Sequence, residues 1–146
     1  MAGKNTILGG RSPAKLPGST KMPKILLVDD EANIRLLLQQ SLEELEDCGV
    51  EIQTAENGSR ALEIIAAERP ELVFLDVMMP GLNGFEVCRR IRKNATAADL
   101  PVVFLTARGQ DLDRREAMEA GATDFLTKPF DPEEVQAVAR KILSLH

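Results

Sequence analysis

Five polar side chains stand at the ends of four short apolar runs, and their types suit one kind of chemistry. Asp29 and Asp30 follow KILLV, Asp76 ends LVFLD, Thr106 ends PVVFLT and Lys128 ends DFLTK. Three carboxylates brought close together repel one another and resist ionisation unless a positive group lies among them. Mg²⁺ suits such a group of oxygen ligands, because a few carboxylates and waters leave coordination positions for a phosphate. We therefore expect Mg²⁺, with Mn²⁺ as a substitute, wherever these carboxylates meet.

The other two side chains extend that chemistry. Lys128 would add a second positive charge and Thr106 a hydrogen-bond donor. Cations and donors around a phosphoryl group neutralise its oxygens while a nucleophile attacks the phosphorus. The set therefore indicates phosphoryl transfer, with Asp76 as the attacking carboxylate and Thr106 and Lys128 beside it.

The elements that must position these residues alternate between strand and helix patterns from residue 23 onward. Apolar runs at 24–28, 72–76 and 101–106 are typical of buried parallel strands, and 124–128 is a further strand. Residues 50–54 alternate with a period of two, which indicates a strand at the edge of the sheet. A helical pattern follows each strand, and the first such stripe consists of Ile34, Leu37, Leu38, Ser41, Leu42 and Leu45.

Five successive strand–helix units predict an α/β fold with a five-stranded parallel sheet and helices on both faces. The flavodoxin-like order 2-1-3-4-5 places the alternating second strand at an edge. Ligands of such sheets bind beyond the carboxyl ends of the strands, where the strand order reverses. The predicted topology therefore brings the five polar side chains to one edge.

Length and composition limit the other possibilities. The 146 residues allow one domain, predicted over residues 23–146, with residues 1–22 as a flexible leader that a start at Met22 would remove. Residues 1–21 carry four basic and no acidic side chains, so the total of −5 leaves −9 on residues 22–146. An acidic domain is a poor candidate for direct binding of nucleic acid. We expect a cytoplasmic protein, because no apolar run is long enough for a membrane span or a signal peptide.

Histidine and cysteine chemistry is also constrained. His146 is the only histidine, so no histidine-based triad or metal site can be built. Cys48 and Cys88 form no C-x-x-C pair, and we interpret them as small apolar residues.

Four motifs together resemble the receiver domain of response regulators in two-component, or phosphorelay, signalling. They are ILLVDDE, VFLDVMMPGLNGFE, PVVFLTA and GATDFLTKPF, and the resemblance runs from about residue 23 to the end. It implies that Asp76 is phosphorylated by a sensor histidine kinase, a phosphotransfer protein or a small phosphodonor. It further implies that Asp30, Asp76 and the backbone carbonyl of Met78 bind Mg²⁺ directly, that Asp29 binds it through water, and that Thr106 and Lys128 hold the phosphoryl oxygens.

The resemblance also implies a conformational switch. Phe125 matches the aromatic residue that turns inward when Thr106 moves to the phosphate, and Lys128–Pro129 matches a cis peptide bond. The fourth helix, fifth strand and fifth helix would then change for a downstream effector protein or domain. Many receivers also form homodimers through this face, which here would contain Asp124 and Arg140.

The lifetime of the phosphorylated state would depend on two positions near the approach of water, those two residues after Asp76 and after Thr106. They are Met78 and Arg108. Methionine neither orients water nor leaves it much room, and arginine cannot act as a base. We therefore predict slow loss of the phosphoryl group, unless both side chains point into solvent.

A phosphatase with an aspartate nucleophile on an α/β fold is the alternative function. Such enzymes tend to have a second aspartate two residues after the nucleophile, where this chain has Met78. We therefore expect a switch that catalyses only its own phosphorylation and dephosphorylation, and no turnover enzyme.

Overall fold

The chain alternates strands and helices along its length, as its sequence pattern predicts. The computed structural model describes residues 22–107 and 114–145. The strands are β1 (Lys24–Val28), β2 (Glu51–Ala55), β3 (Leu72–Asp76), β4 (Val102–Ala107) and β5 (Asp124–Lys128). The helices are α1 (Ala32–Ser41), α2 (Glu43–Asp47), α3 (Gly58–Glu68), α4 (Gly84–Lys93), α5 (Arg114–Ala120) and α6 (Pro132–Leu143). Within the described ranges no helix has the length and apolar character that crossing a bilayer requires.

The five strands form one parallel sheet in the order β2-β1-β3-β4-β5. This order confirms the predicted topology. β1 and β3 are neighbours although β2 lies between them in sequence, so the strand order reverses at this pair. β2 lies at one edge and is partly exposed along most of its length, as its alternating sequence indicates.

Two apolar cores cover the two faces of the sheet. Because successive strand residues point to opposite faces, Leu26 and Val28 face one core and Ile25 and Leu27 face the other. The first core includes buried residues of α3, α4 and α5. The second includes buried residues of α1, α2 and α6. Helices therefore flank both faces, as predicted.

The first helical segment differs from its prediction. The apolar stripe from Ile34 to Leu45 suggests one helix, whereas the structure has α1 and α2 with Leu42 between them at φ −105° and ψ 12°. The buried Ser41 hydroxyl donates a hydrogen bond of 2.8 Å to the carbonyl of Leu37, a contact that bends helices. The chain therefore has six helices in its described part, and the helices counted fourth and fifth from the sequence are α5 and α6.

Candidate functional site

Two buried carboxylates meet where the strand order reverses. Asp29 follows β1 and is fully buried, and Asp76 ends the adjacent β3 with 4% of its surface exposed. Thr106, also 4% exposed, lies on β4 one residue beyond Leu105, the register partner of Asp76. The fold thus brings the ends of three neighbouring strands together at one edge, as the sequence predicts.

Lys128 joins the two buried carboxylates. Its Nζ lies 2.8 Å from Oδ2 of Asp29 and 3.4 Å from Oδ1 of Asp76. The ammonium reaches this position from the end of β5, where Lys128 pairs in register with Ala107. One fixed positive charge therefore already offsets part of the repulsion between the carboxylates.

Backbone N–H groups also bind the two carboxylates. Oδ1 of Asp29 accepts a hydrogen bond of 2.9 Å from the N–H of Glu31, and Oδ1 of Asp76 accepts one of 3.2 Å from the N–H of Met78. The residue at the N-terminal cap of α1 is Glu31, and its side chain makes no capping hydrogen bond. The Asp29 side chain is thus held within its own turn and faces Lys128, and it does not cap the helix.

The environment changes the proton affinity of both partners. Burial, followed by the nearby Asp29 charge, raises the pKa of Asp76 from its ordinary 3.8 to about 6, although Lys128 and the Met78 N–H act in the opposite direction. Burial by itself would lower the pKa of Lys128, but its contacts with Asp29 and Asp76 outweigh burial and raise it. The structure therefore keeps the lysine positive, and Asp76 loses its proton only near pH 6.

The acidic residues also fit a divalent cation. Asp29, Asp30 and Asp76 each offer a carboxylate oxygen, and these three oxygens lie within 4.8 Å of one another. Oδ2 of Asp29 is buried and no hydrogen-bond donor is aligned with it, although the ammonium lies nearby. Asp30 is exposed, so this group of oxygens is open to solvent on one side. Hard oxygen donors in this arrangement suit Mg²⁺ or Mn²⁺.

The remaining predicted residues lie around this group. The Lys128–Pro129 peptide bond is cis. The Met78 side chain is 60% exposed beside the site. Phe125 is half-buried on β5 opposite Phe104 and packs against the core shared by α3, α4 and α5. Arg108 lies outside the described residues.

Two residues at the site have roles that the sequence reasoning missed. The guanidinium of Arg35 in α1 donates a hydrogen bond of 2.6 Å to the backbone carbonyl of Asp29. Gly84, the first residue of α4, packs so closely that a Cβ there would lie 2.4 Å from the carbonyl oxygen of Asp76. The glycine after Asn83 gave a signal, since a turn before a helix often requires one. Arg35 gave none, because an arginine on a helix usually faces solvent.

Comparisons with known proteins agree with this geometry. Residues 25–140 match the family model described as the response regulator receiver domain. The chain is 48% identical over 120 residues to a protein described as a probable transcriptional regulator, ycf27, from Porphyra purpurea; the match covers 82% of this chain and 47% of that protein. It is 43% identical to the alkaline phosphatase synthesis transcriptional regulatory protein PhoP of Bacillus subtilis, with 82% and 48% covered. The chain thus spans about half the length of these curated relatives.

A solved structure shows the same fold over nearly its whole length. The structure of Vibrio cholerae chemotaxis protein CheY4 matches with a TM-score of 0.74 and 32% identity, covering 84% of this chain and 99% of that chain. The two chains therefore share the same fold over most of this chain.

Proposed function

The chain belongs to the response regulator receiver domain family, whose members are phosphorylation-controlled switches of two-component signalling, and from this premise we propose that Asp76 is its phosphoryl acceptor. One observation carries the assignment: the Lys128 ammonium lies between Asp29 and Asp76, with Asp30 at the same edge. Asp76 is the carboxylate that ends the central β3, and both of its neighbouring strands contribute a polar group of the site.

Asp76 acts as the nucleophile in this proposal. A carboxylate oxygen attacks the phosphorus of a phosphorylated histidine, and the phosphorus–nitrogen bond breaks as its electron pair leaves with the imidazole. A small phosphodonor can react in the same way. Lys128 lies 3.4 Å from the attacking group and can follow the new phosphoryl oxygens. The hydroxyl of Thr106, at the end of the next strand, supplies a donor to the same oxygens.

The cation in this proposal is Mg²⁺, or Mn²⁺ in its place. Asp30 and Asp76 would hold it directly together with the Met78 carbonyl, and Asp29 would hold it through water. When bound, the ion neutralises the developing negative charge on the phosphoryl group. The carboxylate oxygens within 4.8 Å of one another support this assignment.

The output of the switch would be a change of the surface formed by α5, β5 and α6. Lys128 ends β5, so a phosphoryl group that binds its ammonium would shift the end of this strand. Phe125 lies three residues earlier on the same strand and is half-buried, so more of its ring would become buried if it turned inward. Phosphorylation would thus shift an existing equilibrium between two arrangements of this surface.

The partners would be a sensor histidine kinase or a phosphotransfer protein on one side and an effector on the other. The curated relatives are transcriptional regulators about twice as long as the match, so the effector can be a further domain of the same protein. Such relatives also support a cytoplasmic location. The acidic charge of residues 22–146 argues against nucleic-acid binding by this domain itself.

We further propose that the domain is not a turnover enzyme. The position that an aspartate phosphatase would use for its acid–base group is occupied by Met78, whose side chain is 60% exposed and titrates no proton. The comparisons match receiver domains and give the phosphatase alternative no support.

The test is incorporation of acid-labile phosphate from a small phosphodonor with Mg²⁺ present. We expect wild-type protein to be labelled and Asp76→Asn to take up no phosphate, because an amide is no nucleophile. Asp47→Asn is the matched control, since Asp47 is an exposed residue of α2. Equal labelling of Asp76→Asn and wild type would refute the assignment, and labelling that persists in excess chelator would refute the role of the cation.

A further inference from the structure

Arg35 contacts the carbonyl that joins the two acidic residues after β1. Its Nη1 donates a hydrogen bond of 2.6 Å to the backbone oxygen of Asp29, six residues earlier. Side chains of a helix point back toward its N-terminus, so an arginine in the first turns of α1 reaches the preceding turn. The peptide group that it holds connects Asp29 to Asp30.

This hydrogen bond closes a ring of contacts around the turn. The N–H of Asp29 is bound to the carbonyl of Ala55 on β2 at 3.2 Å, and Oδ1 of Asp29 is bound to the N–H of Glu31. The N–H of Arg35 is in turn bound to the carbonyl of Glu31 at 3.1 Å. Each polar group of the Asp29 backbone therefore has a partner, and Arg35 supplies the one for its carbonyl.

Asp30 depends on that peptide group for its position. Its side chain is exposed, and within the described residues it has no ion pair or hydrogen bond. The orientation of the Asp29–Asp30 peptide therefore sets the range of positions that the Asp30 carboxylate can reach relative to Asp76. A hydrogen bond from a charged donor is about twice as strong as a neutral one, which suits a group that must hold a short turn.

We propose that Arg35 is a positioning residue of the cation site, and this inference rests on the proposed function. The guanidinium orients the Asp29–Asp30 peptide so that the Asp30 carboxylate faces the site before a cation arrives. It touches neither the phosphoryl group nor the cation. Its contribution is to the affinity for Mg²⁺ and not to the reaction of Asp76.

A purely electrostatic role of Arg35 predicts the opposite result. A positive charge near the site repels a cation, so its removal would tighten Mg²⁺ binding. Loss of a group that orients a metal ligand typically weakens metal binding by about 10- to 100-fold. The direction of the change therefore separates the two explanations.

The test compares Mg²⁺ affinities of the metal-free full chain, followed by amide NMR shifts. We expect Arg35→Met, which keeps the length but not the donor or the charge, to bind Mg²⁺ about tenfold more weakly. Arg35→Lys keeps a charged donor and should bind within about threefold of wild type. Arg60→Met is the matched control, because Arg60 lies in the first turn of α3, is exposed and, among the residues that the structure describes, its side chain pairs with Glu63 alone.

Labelling by a small phosphodonor gives a second readout that general damage would not reproduce. In Arg35→Met the Mg²⁺ concentration for half-maximal labelling should rise about tenfold, while the rate at saturating Mg²⁺ stays at the wild-type value. A variant that is merely misfolded would label slowly at every Mg²⁺ concentration. Should Arg35→Met fail to fold, Arg35→Gln serves instead, and its shorter neutral amide should also weaken Mg²⁺ binding.

Equal or tighter Mg²⁺ binding by Arg35→Met or its glutamine substitute would overturn the inference, as would an equal loss in Arg60→Met. These results would leave the proposed function intact as long as wild type binds Mg²⁺ and becomes labelled. A wild-type protein that does neither would instead overturn the proposed function.

Discussion

At neutral pH the folded protein contains Asp76 in its charged form, which burial makes less stable than it would be in water. Its pKa rises from 3.8 to about 6, first because it is buried and second because Asp29 lies close. Between these two values the folded chain keeps a proton that the unfolded chain has lost, so stability falls as pH rises through this window. A shift of about two units corresponds to about 2–3 kcal/mol, all of it lost above about pH 6.

The first prediction at the residue scale follows from this loss of stability with rising pH. Without Mg²⁺, Asp76→Asn should be more stable than wild type at about pH 7.5, by on the order of 2 kcal/mol, and this advantage should shrink toward about pH 4.5. Denaturant unfolding at both pH values in chelator measures the difference, and titrating groups far from Asp76 cancel between the two proteins. An advantage that stays constant or grows as pH falls would contradict the assigned pKa shift.

The second residue-scale prediction concerns the lifetime of the phosphorylated state. Met78 cannot orient a water, and we expect Arg108 to pair with a phosphoryl oxygen. Labelled wild type should therefore lose phosphate more slowly than a Met78→Asn, Arg108→Glu variant, with a tenfold ratio corresponding to about 1.4 kcal/mol in the barrier. The single variants are the controls, and the 60% exposure of Met78 suggests that Arg108→Glu has the larger effect. Equal decay rates in wild type and the double variant would exclude this role.

At the scale of elements, the loop between β3 and α4 depends on one glycine. The N–H of Gly84 donates a hydrogen bond of 2.9 Å to the carbonyl of Val77, which closes the loop at its base. A Cβ on Gly84 would lie 2.4 Å from the Asp76 carbonyl oxygen and 2.8 Å from Cα of Val77. Backbone atoms cannot yield as a flexible side chain does, so any side chain here displaces Asp76.

We predict that Gly84→Ala is less stable than wild type by about 1–3 kcal/mol and is labelled more slowly by a small phosphodonor. Gly81→Ala is the control in the same loop. It has φ +75°, which disfavours alanine by about 1 kcal/mol, but open space surrounds its Cβ position. Denaturant unfolding and labelling rates measure both effects, and wild-type labelling of Gly84→Ala would show that the loop moves independently of Asp76.

Some features of these elements can be predicted from the sequence and others cannot. The strand order follows from the alternation of β2 and the continuous apolar character of β1, β3 and β4, because burial on one or two faces leaves a direct mark on a strand sequence. The break between α1 and α2 leaves no such mark, since buried leucines continue through it and the feature that accompanies it is one hydrogen bond from the Ser41 hydroxyl. The Arg35 contact likewise depends on a rotamer, and spacing alone does not determine one.

At the scale of the whole molecule, a cation bound at the acidic edge would couple its binding to folding. The two buried carboxylates share one ammonium, so the metal-free fold retains repulsion between them that a bound cation would reduce. A ligand that binds only the folded state stabilises it by about 2.7 kcal/mol at one hundred times its dissociation constant. Mg²⁺ should therefore stabilise the entire domain as well as the site.

We predict that saturating Mg²⁺ raises the melting temperature by on the order of 10 °C relative to KCl of equal ionic strength. Asp30→Asn is the matched variant, because Asp30 is exposed and its loss removes a proposed ligand without opening a cavity. Its melting temperature should respond much less to Mg²⁺. The same increase in KCl, or in Asp30→Asn, would show that general screening and not a bound ion is responsible.

Two residues of the expected dimer face also have contacts within the chain. Nη2 of Arg140 lies 3.7 Å from Oε1 of Glu44 in α2, and its Nε donates to Gln136 within α6. Arg140 thus contacts residues of α2 and of α6, and the exposed Asp124 on β5 accepts a hydrogen bond from the N–H of its own neighbour, Phe125. Dimerisation through α5, β5 and α6 stays a prediction.

The closed base of the β3–α4 loop also has a consequence for how the sequence can vary. The hydrogen bond between Gly84 and Val77 joins the two ends of the loop, and Pro80 and Gly81 stand exposed at its tip. We expect a peptide inserted between Pro80 and Gly81 to disturb Asp76 less than any side chain at Gly84, because the hydrogen bond at the base of the loop lies outside the insertion. The tip is therefore the place in this loop for an affinity tag.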